Sequence, residues 1–248
     1  MKTCINLSAF TLMALSVSCV NAAPKTDVTI NGVNHQLAQP VYLSDLWPHL
    51  NAPEAVYWPA AALFVDNIDI LNLRQQLLQK LAMRSQVLRQ DAQAEQAAAV
   101  ENFAGWLAKL QLGRRVNLKL DYEKSRHIKA ANPLLEDHRF YLSARPAAQS
   151  VELLGAVTQH AYNFSAASVI DARQLYQQFA SAYADNSWLY WSVGSGWQRA
   201  GIAYWNHQQK LQFSSGSSIF IPFSTAVLGD DADWINSQVL TILQSRIR

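Results

Sequence analysis

Two features of this 248-residue sequence have residue types and spacings suited to holding a ligand: a cluster of aromatics and an arginine at a helix-to-strand junction. Trp188, Tyr190, Trp191, Trp197, Tyr204 and Trp205 fall within eighteen residues. Large flat side chains with polar rims can stack on sugar rings and hydrogen bond at their edges. On a strand, Trp188 and Tyr190 share one face and Trp191 takes the other, so part of the set packs inward. About two of the six are expected to be exposed, and the sequence does not say which. Arg114 follows Gly113, which ends a helical region, and directly precedes an alternating strand pattern. A planar guanidinium there can grip a carboxylate or phosphate in two-point fashion, or form a salt bridge that ties the helices to the sheet.

Catalytic constellations are harder to assemble. His35, His49, His127, His138, His160 and His207 contain no i, i+4 pair that would put two imidazoles on one helical face. Gly194-Ser195-Gly196 lacks the G-x-S-x-G pattern and reads as a hairpin loop between aromatic strands. Glu136-Asp137 is a tight carboxylate pair, yet adjacent turn residues point apart, whereas glycoside hydrolysis needs carboxylates facing across about 5–9.5 Å. These readings point to no catalytic residue, no metal and no cofactor. The rival is a polysaccharide-modifying enzyme, with carboxylates converging from distant segments.

The elements that must position these residues begin after an apolar segment. Lys2 is the only charge before Lys25, an apolar run extends from Phe10 to Val20, and Val20-Asn21-Ala22 offers small residues for cleavage. That pattern is expected of a secretory signal peptide over residues 1–22, and it is too short for a bilayer span. Cys4 and Cys19 both lie within it, which leaves the following chain without thiols for disulfides or metal. Ser16-Val17-Ser18-Cys19 also resembles a lipobox, but Ser16 stands where leucine is expected. Without Lys2 the chain has 19 basic and 18 acidic residues, a net charge of +1 that gives no electrostatic case for nucleic acid.

Three regions follow. Val28 and Ile30 alternate with polar neighbours, Asn31-Gly32 signals a hairpin turn, and His35 to Ala38 returns. Ser44 and Asp45 are placed to cap a short helix through Leu50. Residues 66–112 are rich in Ala, Leu, Gln, Arg and Glu, and their apolar spacing predicts an antiparallel helical hairpin. From Arg114 onward strands dominate: Val116, Leu118 and Leu120 alternate, as do Phe140 and Leu142, then Val151 and Leu153. Ser168 to Tyr183 reads as a helix with Val169, Leu175, Tyr176 and Phe179 buried. Strands resume at Trp188–Val193, Gln198–Trp205 and Ser218–Phe223.

The last segment is amphipathic, with Asp230, Asp231 and Asp233 at its start and Arg246 and Arg248 at its end, both favourable for the helix dipole. Its apolar face holds Ile235, Val239, Leu240, Ile242, Leu243 and Ile247. The expectation is a helix packed on its own domain, with membrane or partner docking as the alternative. The fold class is therefore α+β: two β-grasp-like domains, an inserted helical hairpin and a C-terminal amphipathic helix. The expected divisions are 23–65 plus 113–131, then 66–112, 132–228 and 229–248.

Short motifs then fall in an order that resembles the GfcC-like capsule biosynthesis family. They are Tyr57-Trp58-Pro59 with Ala61 and Leu63, Gly113-Arg114, Asn132-Pro133-Leu134, Arg145-Pro146, Leu153-Leu154-Gly155-Ala156-Val157, Trp205-Asn206, Gly216-Ser217 and Phe223-Ser224. Ala60 stands where a glycine often follows the Trp-Pro pair. Arg115, Val116 and Asn117 replace a proline common after Gly-Arg, so a shifted strand register is expected there. The resemblance implies a periplasmic accessory protein in capsule or exopolysaccharide assembly, without established catalytic activity. It also implies β-grasp domains like those of outer-membrane polysaccharide export proteins. The partners expected are the polysaccharide, an export protein, or both, with membrane contact possible through the closing helix. Arg114, Tyr57, Trp58, Trp191 and Trp197 are the residues expected to bind glycan or partner.

Overall fold

The computed structural model describes residues 24–137, 139–148, 150–163, 169–193, 196–207 and 210–248. The expected signal peptide with its two cysteines, His138, Ser168 and the Gly194-Ser195 pair lie outside them. Among the described residues no helix is long and apolar enough to cross a membrane.

The chain is α+β and builds two five-stranded mixed sheets. The first contains β1 (Lys25–Ile30), β2 (Val33–Ala38), β3 (Ala62–Val65), β4 (Arg114–Arg115) and β5 (Arg139–Ser143), in the order β2-β1-β5-β3-β4. The second contains β6 (Ser150–Gly155), β7 (Ala161–Asn163), β8 (Trp188–Val193), β9 (Gly196–Gly201) and β10 (Ser218–Ile221), in the order β7-β6-β10-β8-β9. The topology is the same twice. In each sheet the first strand pairs with the second antiparallel and with the last in parallel, and the third pairs with both the last and the fourth.

The first hairpin closes where the sequence signals it. Asn31 and Gly32 both adopt positive φ, at 50° and 92°, conformations that asparagine and glycine tolerate best. The Asn31 side chain then clamps the last strand's exit, donating to Ala144 O at 2.7 Å and accepting from Ala144 N at 2.8 Å. In the parallel pairing Val28 faces Phe140 and Ile30 faces Leu142, and all four are buried. They pack with Leu43, Leu46 and Trp47. Burying the Trp47 indole leaves an N–H to satisfy, and Ser125 Oγ of α3 (Tyr122–His127) accepts it at 2.7 Å.

Between β3 and β4 the chain runs out into α1 (Ile68–Gln90) and α2 (Ala94–Ala108), the expected hairpin. Asn67 caps α1 by accepting from Ile70 N at 3.0 Å. The hairpin's seam, including Leu77, Leu81, Leu88, Val100, Phe103 and Leu107, packs against the second sheet's Leu154 and Phe220. It also packs against α5 (Thr225–Leu228) and α6 (Ala232–Gln244). The opposite face of that sheet, carrying Val151, Leu153, Leu189 and Ile219, is covered by Leu175 and Phe179 of α4 (Ala172–Phe179). With both faces covered, β10 is buried at every position, which explains its unbroken apolar run. The apolar face of α6 is likewise used inside the chain: Ile235, Val239, Ile242 and Leu243 are buried in this core.

Several sequence expectations are corrected. The boundary at 131/132 cuts through the first sheet, because β5 lies between β1 and β3 and Leu134–Leu135 pairs with Val41–Tyr42. Val116, Leu118 and Leu120 form no strand. Val116 N still donates to Leu63 O at 2.8 Å, but Leu118 N then turns back to Val116 O. Leu43–His49 winds as a 3-10 helix in which Asp45 accepts from Tyr42 N at 2.7 Å, so Tyr42 takes the cap position expected of Ser44. The helix expected from Ser168 begins at Ala172. Asp171 caps it by accepting from Arg173 N and Gln174 N, while Val169–Asp171 pairs as a strand and leaves Val169 exposed.

The strand expected through Trp205 stops at Gly201. A Cβ there would stand 2.1 Å from Asn206 O, because the chain folds back and Asn206 accepts from Ala203 N at 2.9 Å. Tyr204 and Trp205 are carried to the tip of that turn, 81% and 63% exposed, and are the two exposed aromatics of the cluster.

Candidate functional site: an arginine-rich cleft

A cleft of about 750 Å³ is walled by both sheets and the segment after α6. The first sheet contributes Ala62 and Phe64 from β3, Arg115 from β4 and Ser143 from β5. The second contributes Ser150 and Glu152 from β6, Ser192 from β8 and Trp197 from β9. Tyr57, Pro59 and Arg145 complete the first unit's side, and the loop holding Ser214, Ser215 and Ser217 completes the second's. Arg246 and Arg248 enter from the closing segment.

Register decides which arginine reaches the cleft. Phe64 pairs with Arg115 and Val65 with Arg114, so side-chain alternation sends the two arginines to opposite faces. Arg115 is half-buried and lines the cleft, whereas Arg114 is exposed and does not. Gly113 is needed just before this pair, since a Cβ there would stand 2.8 Å from Val65 O.

The closing segment is fixed by backbone bonds. Gly113 N donates to Ser245 O and Ile247 N to Gln111 O, both at 2.9 Å. In this extended run residues two apart face the same way, and Arg246 and Arg248 both turn inward. Arg246 Nη1 donates to both Glu152 oxygens at 2.7 Å, and its guanidinium lies 5.4 Å from the Trp106 ring centre. Arg248 Nη2 donates to Ser218 Oγ at 2.5 Å and its Nη1 to Gly216 O. Its carbonyl oxygen accepts from Ser143 Oγ at 2.9 Å.

The side chains of the lining therefore include four guanidinium groups and one carboxylate, that of Glu152. Burial pushes the Arg248 guanidinium down from its ordinary value; Glu152 opposes the shift, while the like charges of Arg246 and Arg115 add to it. Burial also pushes Arg115 down. Arginine is so strong a base that both stay protonated at neutral pH. No hydrogen bond or ion pair joins the Arg115 or Arg145 side chain to another described residue. Arg115 is half-buried and Arg145 is exposed; for Arg115, a half-buried cation without a described partner is costly unless an anion meets it. Six serines and Trp197 supply hydroxyls and an aromatic surface around these charges. The arrangement suits a carboxylated or phosphorylated ligand rich in hydroxyls.

Of the residues the sequence suggested, Tyr57 and Trp197 meet in this cleft. Trp58 lies beside it, T-shaped on Trp47 at 5.2 Å and stacked on Tyr122 at 5.8 Å. Trp191 is 7% exposed and packs in the core under α4, so it does not present a ring to a ligand. Arg115, Arg145, Glu152, Arg246 and Arg248 were missed. Their signals were present but ambiguous: adjacent arginines whose facing depends on register, and terminal arginines that equally suit a helix dipole.

Two sheets of identical topology joined around an arginine-rich cleft define a two-unit α+β protein. Residues 23–145 match the model for the capsule biosynthesis GfcC N-terminal domain, and residues 163–248 match that for the GfcC C-terminal domain. The chain belongs to the GfcC capsule biosynthesis family. It is also 27% identical over 242 residues to a protein of Escherichia coli strain K12 named uncharacterized protein YjbG, spanning 95% of this chain and 96% of that one.

Proposed function

We propose that the protein is a non-enzymatic periplasmic accessory factor in capsule or exopolysaccharide assembly, and that it binds an acidic stretch of the glycan in the arginine cleft. The observation that carries this reading is the pair of cations without a partner among the described residues, Arg115 and Arg145, among serine hydroxyls and the Trp197 ring. The non-enzymatic part is supported by Glu152, whose two oxygens are both engaged by Arg246 rather than free for proton transfer. The apolar N-terminal segment supports export to the periplasm. We read each sheet as a β-grasp-like unit, which supports a place beside polysaccharide export proteins.

The test is calorimetric binding of the purified chain to its host's own secreted polysaccharide, beside Arg115→Ala and Arg114→Ala. Saturable binding, weakened at least tenfold by Arg115→Ala and unchanged by Arg114→Ala, is the expected result. No binding by the unaltered protein would sink the glycan reading and turn attention to an export-channel partner.

A further inference from the structure

A second cavity, of about 460 Å³, adjoins the arginine cleft and shares two of its lining residues, Pro59 and Arg115. Its aromatic wall is Trp58 and Tyr122, whose rings are 17° from parallel with centres 5.8 Å apart. Its charges differ in kind from those of the cleft: Lys119 and Arg115 are balanced by Asp121 and Glu123. The Asp121 carboxylate is partly used, accepting from Lys124 N at 3.0 Å and pairing with Lys124 Nζ at 3.5 Å. Glu123 lies 4.0 Å from His127 Nε2 and is exposed.

Each cavity alone falls in the size range of about 300–1,000 Å³ typical of small-ligand sites. One guanidinium on the wall of both is better satisfied by a single ligand passing over it than by two separate ones. Resting on the proposed glycan function, we propose that the ligand is an oligosaccharide segment that spans both cavities. An acidic sugar meets Arg115 in the cleft, and a neighbouring neutral sugar sits in the Trp58–Tyr122 cavity. The balanced charge there gives no preference for an anion. Glu123 offers acceptor oxygens to sugar hydroxyls, and Trp58 offers an apolar surface to a sugar face, while the Tyr122 ring is taken up by Trp58 and by Arg126, 5.1 Å from its centre. Joining two subsites on one chain raises affinity through effective concentration, by about 10²–10⁴-fold in favourable geometry.

The experiment is titration of the full chain with size fractions from partial hydrolysis of the host's secreted acidic polysaccharide, from the single acidic sugar to the tetrasaccharide. A matched set with its carboxyl groups reduced to alcohols runs alongside. The expected result is at least a tenfold gain in affinity from the single sugar to the tetrasaccharide. Trp58→Leu and Glu123→Ala should each cut that gain below threefold while leaving single-sugar binding unchanged, and carboxyl reduction should weaken every length at least tenfold. Trp58→Leu keeps apolar bulk against Trp47, and Glu123→Ala changes an exposed helix position, so one variant stands if the other misfolds. Three results overturn the proposal: affinity independent of length, variants that weaken all lengths by one factor, or undiminished binding after carboxyl reduction. Failure of every fraction to bind sinks the glycan function itself along with it.

Discussion

Arg246 holds Glu152 by a single guanidinium nitrogen, Nη1, placed 2.7 Å from each carboxylate oxygen. This contact joins the segment after α6 to the first strand of the second sheet, and Trp106 of the helical hairpin flanks it. The sole side-chain carboxylate among the described cleft residues is thereby part of the framework that keeps Arg246 and Arg248 in place. Arg115 and Arg145 have no side-chain hydrogen bond or ion pair to another described residue.

Glu152→Gln removes the anion between two cations. Breaking one side of a fully buried pair costs about 3–5 kcal/mol, and this pair is partly exposed, so a loss of about 1–3 kcal/mol is expected. At about 2–4 °C per kcal/mol for a chain of this size, thermal unfolding should shift down by several degrees. A variant with unchanged Tm would show that the contact does not hold the closing segment.

Arg115→Ala should separate binding from stability. Its side chain has no described partner to lose, so Tm is expected within about 2 °C of the unaltered chain. Glycan affinity should fall at least tenfold, and the unaltered protein's affinity should weaken as salt is added. Equal losses in Tm and affinity would assign Arg115 to the framework instead.

Two tryptophans from one aromatic cluster should behave oppositely. Trp191→Ala empties a buried site under α4 and is expected to cost about 3–5 kcal/mol. Trp205 stands 63% exposed at a turn tip. Its replacement by alanine should change stability by less than about 0.5 kcal/mol. Chemical denaturation of both variants measures the contrast.

Gly155 adopts φ +89°, and a Cβ there would stand 2.1 Å from Ile221 O and 2.7 Å from the Phe220 ring. Gly155→Ala combines backbone strain with overpacking and should destabilise by roughly 2–5 kcal/mol, read as a lower denaturant midpoint. A midpoint unchanged from the parent would contradict this close approach between β6 and β10.

Acid should release a brace on the helical hairpin. Arg89 Nε and Nη2 bond the two Glu101 oxygens at 2.9 and 2.6 Å, and that hydrogen bonding holds the Glu101 carboxyl below its ordinary value. A depressed folded pKa means the contribution is complete above the unfolded value of about 4.3 and is lost as pH falls through the lower folded value. Glu101→Gln should therefore lower Tm slightly at pH 7, and the gap from the parent should narrow as acid protonates Glu101. A difference that does not narrow as pH falls would assign the effect to packing.

The amino-acid sequence by itself determined the local elements whose cause is local. Asn31-Gly32 set a hairpin because those residues tolerate positive φ. The heptad-like leucines of 68–108 set two paired helices, and the apolar face of α6 announced a buried side. The ordered motifs also carried the family. Tertiary structure decided what depends on residues distant in the chain. β5 enters the first sheet between strands more than seventy residues earlier, so no local signal marks the boundary near 145. The facing of Arg114 and Arg115 is set by one register, Phe64 opposite Arg115, and a shift of one residue would exchange them. Trp191 and Trp205 look alike as aromatics near a strand, yet a helix covers one and a back-folded asparagine carries the other to the surface. Side-chain type and periodicity are encoded in sequence; which cations share a cleft is settled only when the two sheets and the closing segment come together.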